Sequence, residues 1–121
     1  MKKRILVVED TKDNRQILRD LLTAAGYDII EAEDGATGVA MATDQQPDLI
    51  LMDIQLPVID GYEATRRIKA DPATRHIPVV AVTSYALAGD EAKTREAGCD
   101  GYIAKPYSPR NLLEKVRGFL A

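Results

Sequence analysis

The sequence predicts an α/β fold: a (βα)5 chain winding a doubly wound, parallel, five-stranded sheet with helices on both faces. Three observations predict it. Short apolar runs alternate with helical patterns five times along the chain. The central runs Leu49-Ile50-Leu51-Met52 and Val79-Val80-Ala81-Val82 lack the period-2 alternation of a half-exposed strand, as strands do when both faces are covered. No linker, low-complexity tract or internal repeat breaks the 121 residues, so residues 1–121 are expected to form one domain.

The elements follow in order. Arg4 to Glu9 is the first strand candidate, and Ile17, Leu18, Leu21, Leu22 and Ala25 then give a helix one apolar stripe, with Gly26 as its stop. Asp28 to Ala32 is a more polar strand, expected nearer an edge. An Ala-rich helix over Gly35 to Gln45 ends before Pro47. Asp48 to Asp53 is the third strand, and Tyr62 to Ala70 the third helix, with Ile68 inward and Arg66, Arg67 and Lys69 outward. Pro78 to Thr83 is the fourth strand. The helix near Ala88 to Ala97 offers little besides alanines and Leu87, so weak anchoring is expected. Gly101 to Ala104 is the fifth strand, followed by a helix with a strong apolar face of Leu112, Leu113, Val116, Phe119 and Leu120.

Composition removes several functions. Hydrophobic residues at 45% and charged residues at 29% describe a globular chain and not a disordered one. A net charge of -3 argues against a broad basic face for nucleic acid. No apolar run approaches the ~18 residues of a membrane span. Ile5-Leu6-Val7-Val8 stops at Glu9, too early for a signal peptide. Cys99 is the sole cysteine, so no internal disulfide or cysteine-based zinc site forms, which favours a cytoplasmic setting. His76, the sole histidine, lies in Arg75-His76-Ile77-Pro78, which reads as a surface loop, and leaves Ser/His or Cys/His catalysis without a base.

Ligands of an open parallel sheet bind beyond the carboxyl ends of its strands. Here those ends carry Glu9 and Asp10, Asp53, Thr83 and Ser84, and Lys105 with Pro106. Three carboxylates, a hydroxyl and an ammonium are thus expected in one cleft. Each has an ordinary reading alone: Asp10 and Thr83 as helix caps, Asp53 as a turn former, Lys105 as a solvated lysine. Their coincidence at the ends of different central strands favours a site. Crowded carboxylates hold a proton unless a cation intervenes, and an all-oxygen donor set suits Mg2+. A carboxylate beside Mg2+ and a lysine can also attack phosphorus.

On these residues the chain resembles the response-regulator receiver domains. The likeness runs through Ile5-Leu6-Val7-Val8-Glu9-Asp10, Asp48-Leu49-Ile50-Leu51-Met52-Asp53-Ile54-Gln55-Leu56-Pro57 with Asp60-Gly61, Val79-Val80-Ala81-Val82-Thr83-Ser84, and Ile103-Ala104-Lys105-Pro106. The resemblance implies a flavodoxin-like sheet of order 2-1-3-4-5. It implies that Asp53 accepts phosphate from a phosphohistidine of a histidine kinase or histidine phosphotransferase. Glu9, Asp10, Asp53 and the backbone carbonyl of Gln55 would form the Mg2+ pocket. Thr83 and Lys105 would contact the phosphoryl group, Tyr102 would be the switch aromatic, and Lys105-Pro106 would be a cis peptide. The likeness is to single-domain members such as the chemotaxis regulator. In Met52-Asp53-Ile54-Gln55-Leu56-Pro57 and Gly98-Cys99 it is to DivK-type cell-cycle regulators. Such proteins bind a downstream target protein or pass phosphate onward. They catalyse only their own phosphorylation and dephosphorylation. A receiver excised from a hybrid histidine kinase would look the same.

Two rival readings are weaker. A Mg2+-dependent aspartyl phosphatase of the haloacid-dehalogenase type places an aspartate where this chain has Gln55, and it needs a cap insertion. A flavodoxin-like mononucleotide binder needs phosphate-cradling glycines where Asp10-Thr11-Lys12-Asp13 stands. Kinase docking is expected at Asn14, Arg15 and Leu18 with Pro106 and Tyr107. The helix after Ala86, the fifth strand and the last helix are the expected output surface. A ring at Tyr85 covering the water path, against Gln55 orienting water, would make the phosphoryl group long-lived.

Overall fold

The computed structural model describes residues 2–84 and 88–120, apart from the side chains of residues 88–91. Tyr85 and Leu87, the expected shield and helix anchor, lie outside the described residues. The elements run β1 (Arg4–Val8), α1 (Lys12–Ala24), β2 (Asp28–Ala32), α2 (Gly35–Gln45), β3 (Leu49–Asp53), α3 (Gly61–Ala70), β4 (Val79–Thr83), α4 (Ala88–Ala97), β5 (Gly101–Ala104) and α5 (Pro109–Leu120). All strand pairs are parallel, in the order β2-β1-β3-β4-β5. The more polar β2 is an edge strand, as its composition predicts, and every residue of β3 and β4 is buried.

Alternate strand residues feed two cores. Ile5, Val7, Leu49, Leu51, Val80 and Val82 pack with Leu18 and Leu22 of α1 and Leu112 and Val116 of α5. Leu6, Val8, Ile50, Met52 and Val79 pack on the other face with Ala42 of α2 and Ala64 and Ile68 of α3. Two helix starts are capped by aspartates: Asp34 accepts from the Thr37 N–H at 2.7 Å and Asp60 from the Glu63 N–H at 2.9 Å.

Three expectations are corrected. Ile17 and Ala25 do not join the α1 stripe. Leu18 and Leu22 face the sheet, whereas Ile17 is 52% exposed and Ala25 is the exposed C-cap residue. Leu18, expected on a docking face, is core. Lys69 does not point to solvent. Its ammonium donates to the carbonyls of Arg75 at 3.1 Å and Ile77 at 2.8 Å and pairs with Asp100 Oδ2 at 2.9 Å, tying α3 to the starts of β4 and β5. These acceptors draw the chain in because the loop after α3 has backbone carbonyls left without ladder partners. His76 is exposed in a loop, as expected.

Candidate functional site

β1 and β3 are neighbours, so the residues that end them stand side by side at the carboxyl edge of the sheet. Carboxylate oxygens of Glu9, Asp10 and Asp53 all come within 4.8 Å of one another. Glu9 and Asp53 are buried and Asp10 is exposed at the mouth. Asp10 does not cap α1: the N-cap residue is Thr11. Asp53 accepts the Gln55 N–H on Oδ1 at 3.0 Å, so it does form a local turn, while Oδ2 lies 3.4 Å from Lys105 Nζ. Lys105 Nζ also lies 3.7 Å from Glu9 Oε2, and its side chain is only 24% exposed. It is therefore not a freely solvated lysine.

The Glu9 carboxylate is held from α1: its Oε1 accepts the Thr11 N–H at 3.2 Å and the Asn14 side-chain amide at 3.1 Å. Burial pushes the Asp53 carboxyl up to about 7, helped by its hydrogen bond to Glu9 and the Glu9 charge, against the pull of the Gln55 N–H and Lys105. Burial also works against the Glu9 charge. Hydrogen bonds from Asp53, Asn14 and Thr11 and the Lys105 ammonium outweigh it, and the net shift is downward. The metal-free pair therefore resists losing both protons, which is the behaviour that crowded carboxylates predict.

Thr83 is buried at the end of β4, beside Ala104 of β5, and its carbonyl accepts the Lys105 N–H at 2.7 Å. The Lys105-Pro106 peptide is cis. Tyr102 is half-buried on β5 and lines a cavity of about 320 Å³ with Tyr107, Asn111 and Lys115. A second cleft, about 480 Å³, opens beside the acidic pocket, lined by Asn14, Ile17, Lys105, Pro106 and Tyr107 among others. Arg15 is not free to serve it. Its guanidinium donates to the Glu9 carbonyl at 2.8 Å and pairs with Glu31 at 3.5 Å and Glu33 at 3.8 Å. Ile17, not Leu18 or Arg15, is the exposed α1 residue of this face. The turn position of Ile17 in the helical period gave a signal for burial only, and the cleft it borders is made by a segment remote in sequence.

The donor set is oxygen from three carboxylates, two of them buried, with their ligand atoms within 4.8 Å of one another. That chemistry fits Mg2+. Glu9, Asp10 and Asp53 are the residues that could hold it.

Residues 5–117 match the response regulator receiver domain model. The polar-differentiation response regulator DivK of Brucella anthropi is 44% identical over 120 residues, covering 99% of this chain and 98% of that one. The receiver domain of the sensor histidine kinase PA1611 from Pseudomonas aeruginosa PAO1 superposes with a TM-score of 0.92 at 38% identity, covering 99% and 98%, and that crystal structure has a magnesium ion coordinated in its active-site cleft. A putative response regulator from Chloroflexus aurantiacus gives a TM-score of 0.94 at 29% identity, covering 99% and 98%.

Proposed function

The chain belongs to the response regulator receiver domain family, and on that premise we propose that Asp53 accepts a phosphoryl group from the phosphohistidine of a histidine kinase or histidine phosphotransferase. The observation that carries this reading is the fixed Asp53 carboxyl. One oxygen is tied to the Gln55 N–H, the other faces Lys105, and Glu9 and Asp10 stand beside it. An Asp53 oxygen attacks phosphorus as the bond to the imidazole nitrogen breaks, and the imidazole leaves. Lys105 sits where it can offset charge on the transferring oxygens, and the buried Thr83 hydroxyl is the donor for one of them. Bound Mg2+, held by Glu9, Asp10, Asp53 and the Gln55 carbonyl, would supply the positive charge that lets the carboxylates ionise together.

Phosphorylation would then switch binding to a downstream target protein, through Thr83 and Tyr102, on the surface of α4, β5 and α5. The setting is cytoplasmic, and the chain works by partner binding without nucleic acid or membrane. No helix among the described residues is long and apolar enough to cross a membrane.

The test is mass spectrometry after incubation with a small phosphodonor and Mg2+. The wild-type chain gains one stoichiometric phosphoryl group and Asp53→Asn gains none. Turnover of many phosphomonoesters with no labelled chain would instead support a phosphatase.

A further inference from the structure

We propose that Asn14 is a positioning residue for the acidic pocket: its hydrogen bond to Glu9 Oε1 fixes the plane of the Glu9 carboxylate, and so where the other oxygen stands at the cation site. The inference rests on the Mg2+ pocket of the preceding reading.

Glu9 has two carboxylate oxygens with different surroundings. Oε1 receives two donors from the start of α1, the Thr11 N–H at 3.2 Å and Asn14 Nδ2 at 3.1 Å. Oε2 receives neither and lies 3.7 Å from Lys105 Nζ. With Oε1 committed, Oε2 is the oxygen left for the pocket. The terminal torsion of a glutamate is broad and nearly two-fold. A single backbone N–H resists its rotation poorly, and a second donor from another direction fixes the plane.

Helix stability does not explain Asn14. It sits inside the first turn of α1, where asparagine is a poor helix former, and the cap position is Thr11. Its amide nitrogen must face Glu9, because its oxygen would meet a carboxylate oxygen. Arg15, the next residue, holds the other end of Glu9: it donates to the Glu9 carbonyl at 2.8 Å and is itself braced by Glu31 and Glu33. Two consecutive α1 residues therefore fix the Glu9 peptide and the Glu9 carboxylate separately.

The experiment is calorimetric titration of Mg2+ into wild type, Asn14→Leu and Asn14→Gln. The leucine fills similar space, favours helix and cannot donate; the glutamine keeps the amide on a longer stem. Outer partners of metal ligands typically matter 10–100-fold, so Asn14→Leu is expected to bind Mg2+ about 10-fold more weakly and Asn14→Gln to recover most of that. In EDTA, the 13C signal of the Glu9 carboxyl should move in Asn14→Leu and return in Asn14→Gln, while the melting midpoint of Asn14→Leu does not fall. Mg2+ affinity of Asn14→Leu within about twofold of wild type overturns the role of Asn14 alone. So does a glutamine variant as weak as the leucine one. A wild-type chain that binds no Mg2+ overturns both this role and the pocket reading beneath it.

Discussion

Gly61, the first residue of α3, presses against the backbone of Asp53. A Cβ at Gly61 would overlap the Asp53 carbonyl oxygen and come within 2.7 Å of Ile54 Cα. The Gly61 N–H meanwhile donates to the Ile54 carbonyl at 2.9 Å, so the helix start and the strand end are locked together. Gly61→Ala must push β3 or α3 aside. Overpacking of this kind costs roughly 1–3 kcal/mol. Denaturant titration should show that loss. Labelling by a small phosphodonor should slow as well, because the backbone being displaced is that of Asp53. A variant of wild-type stability would mean that the contact relaxes freely.

Val58 has a left-handed backbone, with φ of 67°, and its side chain is fully exposed. A β-branched residue is disfavoured there, and it returns no burial for the strain. Val58→Gly should therefore stabilise the fold by roughly 0.5–1 kcal/mol, the left-handed penalty relieved less the extra chain entropy of glycine. A lower unfolding midpoint would show that Val58 is not strained.

Metal-free stability should fall as pH rises from about 4 to about 7. The Asp53 carboxyl is raised from 3.8 to about 7 in the fold, so the folded state binds more protons than the unfolded chain across that window. The contribution is fully present below the unfolded value and lost once pH passes the folded one. It should be of the order of 1–4 kcal/mol. Glu9 is shifted the other way, so its contribution is present above 4.5 and lost as pH falls. Comparison with Asp53→Asn in EDTA isolates the Asp53 part, which that variant should lack. Added Mg2+ at a hundredfold excess over its dissociation constant at pH 8 should protect by about 2.7 kcal/mol there, and the same concentration should protect less at pH 5.

Ile17→Lys should slow transfer from a phosphohistidine partner and leave labelling by a small phosphodonor unchanged. The residue is exposed at the cleft beside Lys105 and Tyr107, so its loss removes contact area and little core. Parallel rate measurements with the two donors check this. Equal slowing of both would place the damage in the pocket.

The sheet and the acidic pocket were legible in the sequence because both depend on short, local signals. β3 and β4 are continuous apolar runs since each is covered twice, and Glu9, Asp53 and Thr83 stand where those runs stop. Lys69, Arg15 and Ile17 were misplaced for a common reason. Their environment is made by remote segments: carbonyls of Arg75 and Ile77, carboxylates of β2 and its following turn, and the loop after β5. Helical periodicity shows which face a residue is on, and it carries no information about what the overhanging ends of the helix will meet.

The two-sided burial of β1, β3 and β4 has a consequence for how such chains coexist. Below the pocket, nearly every side chain of these strands belongs to one core or the other. A change there disturbs folding before it alters a contact with another molecule. A cell holding several chains on this frame must therefore insulate its circuits at the rim. Among the described residues, Ile17 and Val58 are the large apolar side chains that their own molecule leaves uncovered.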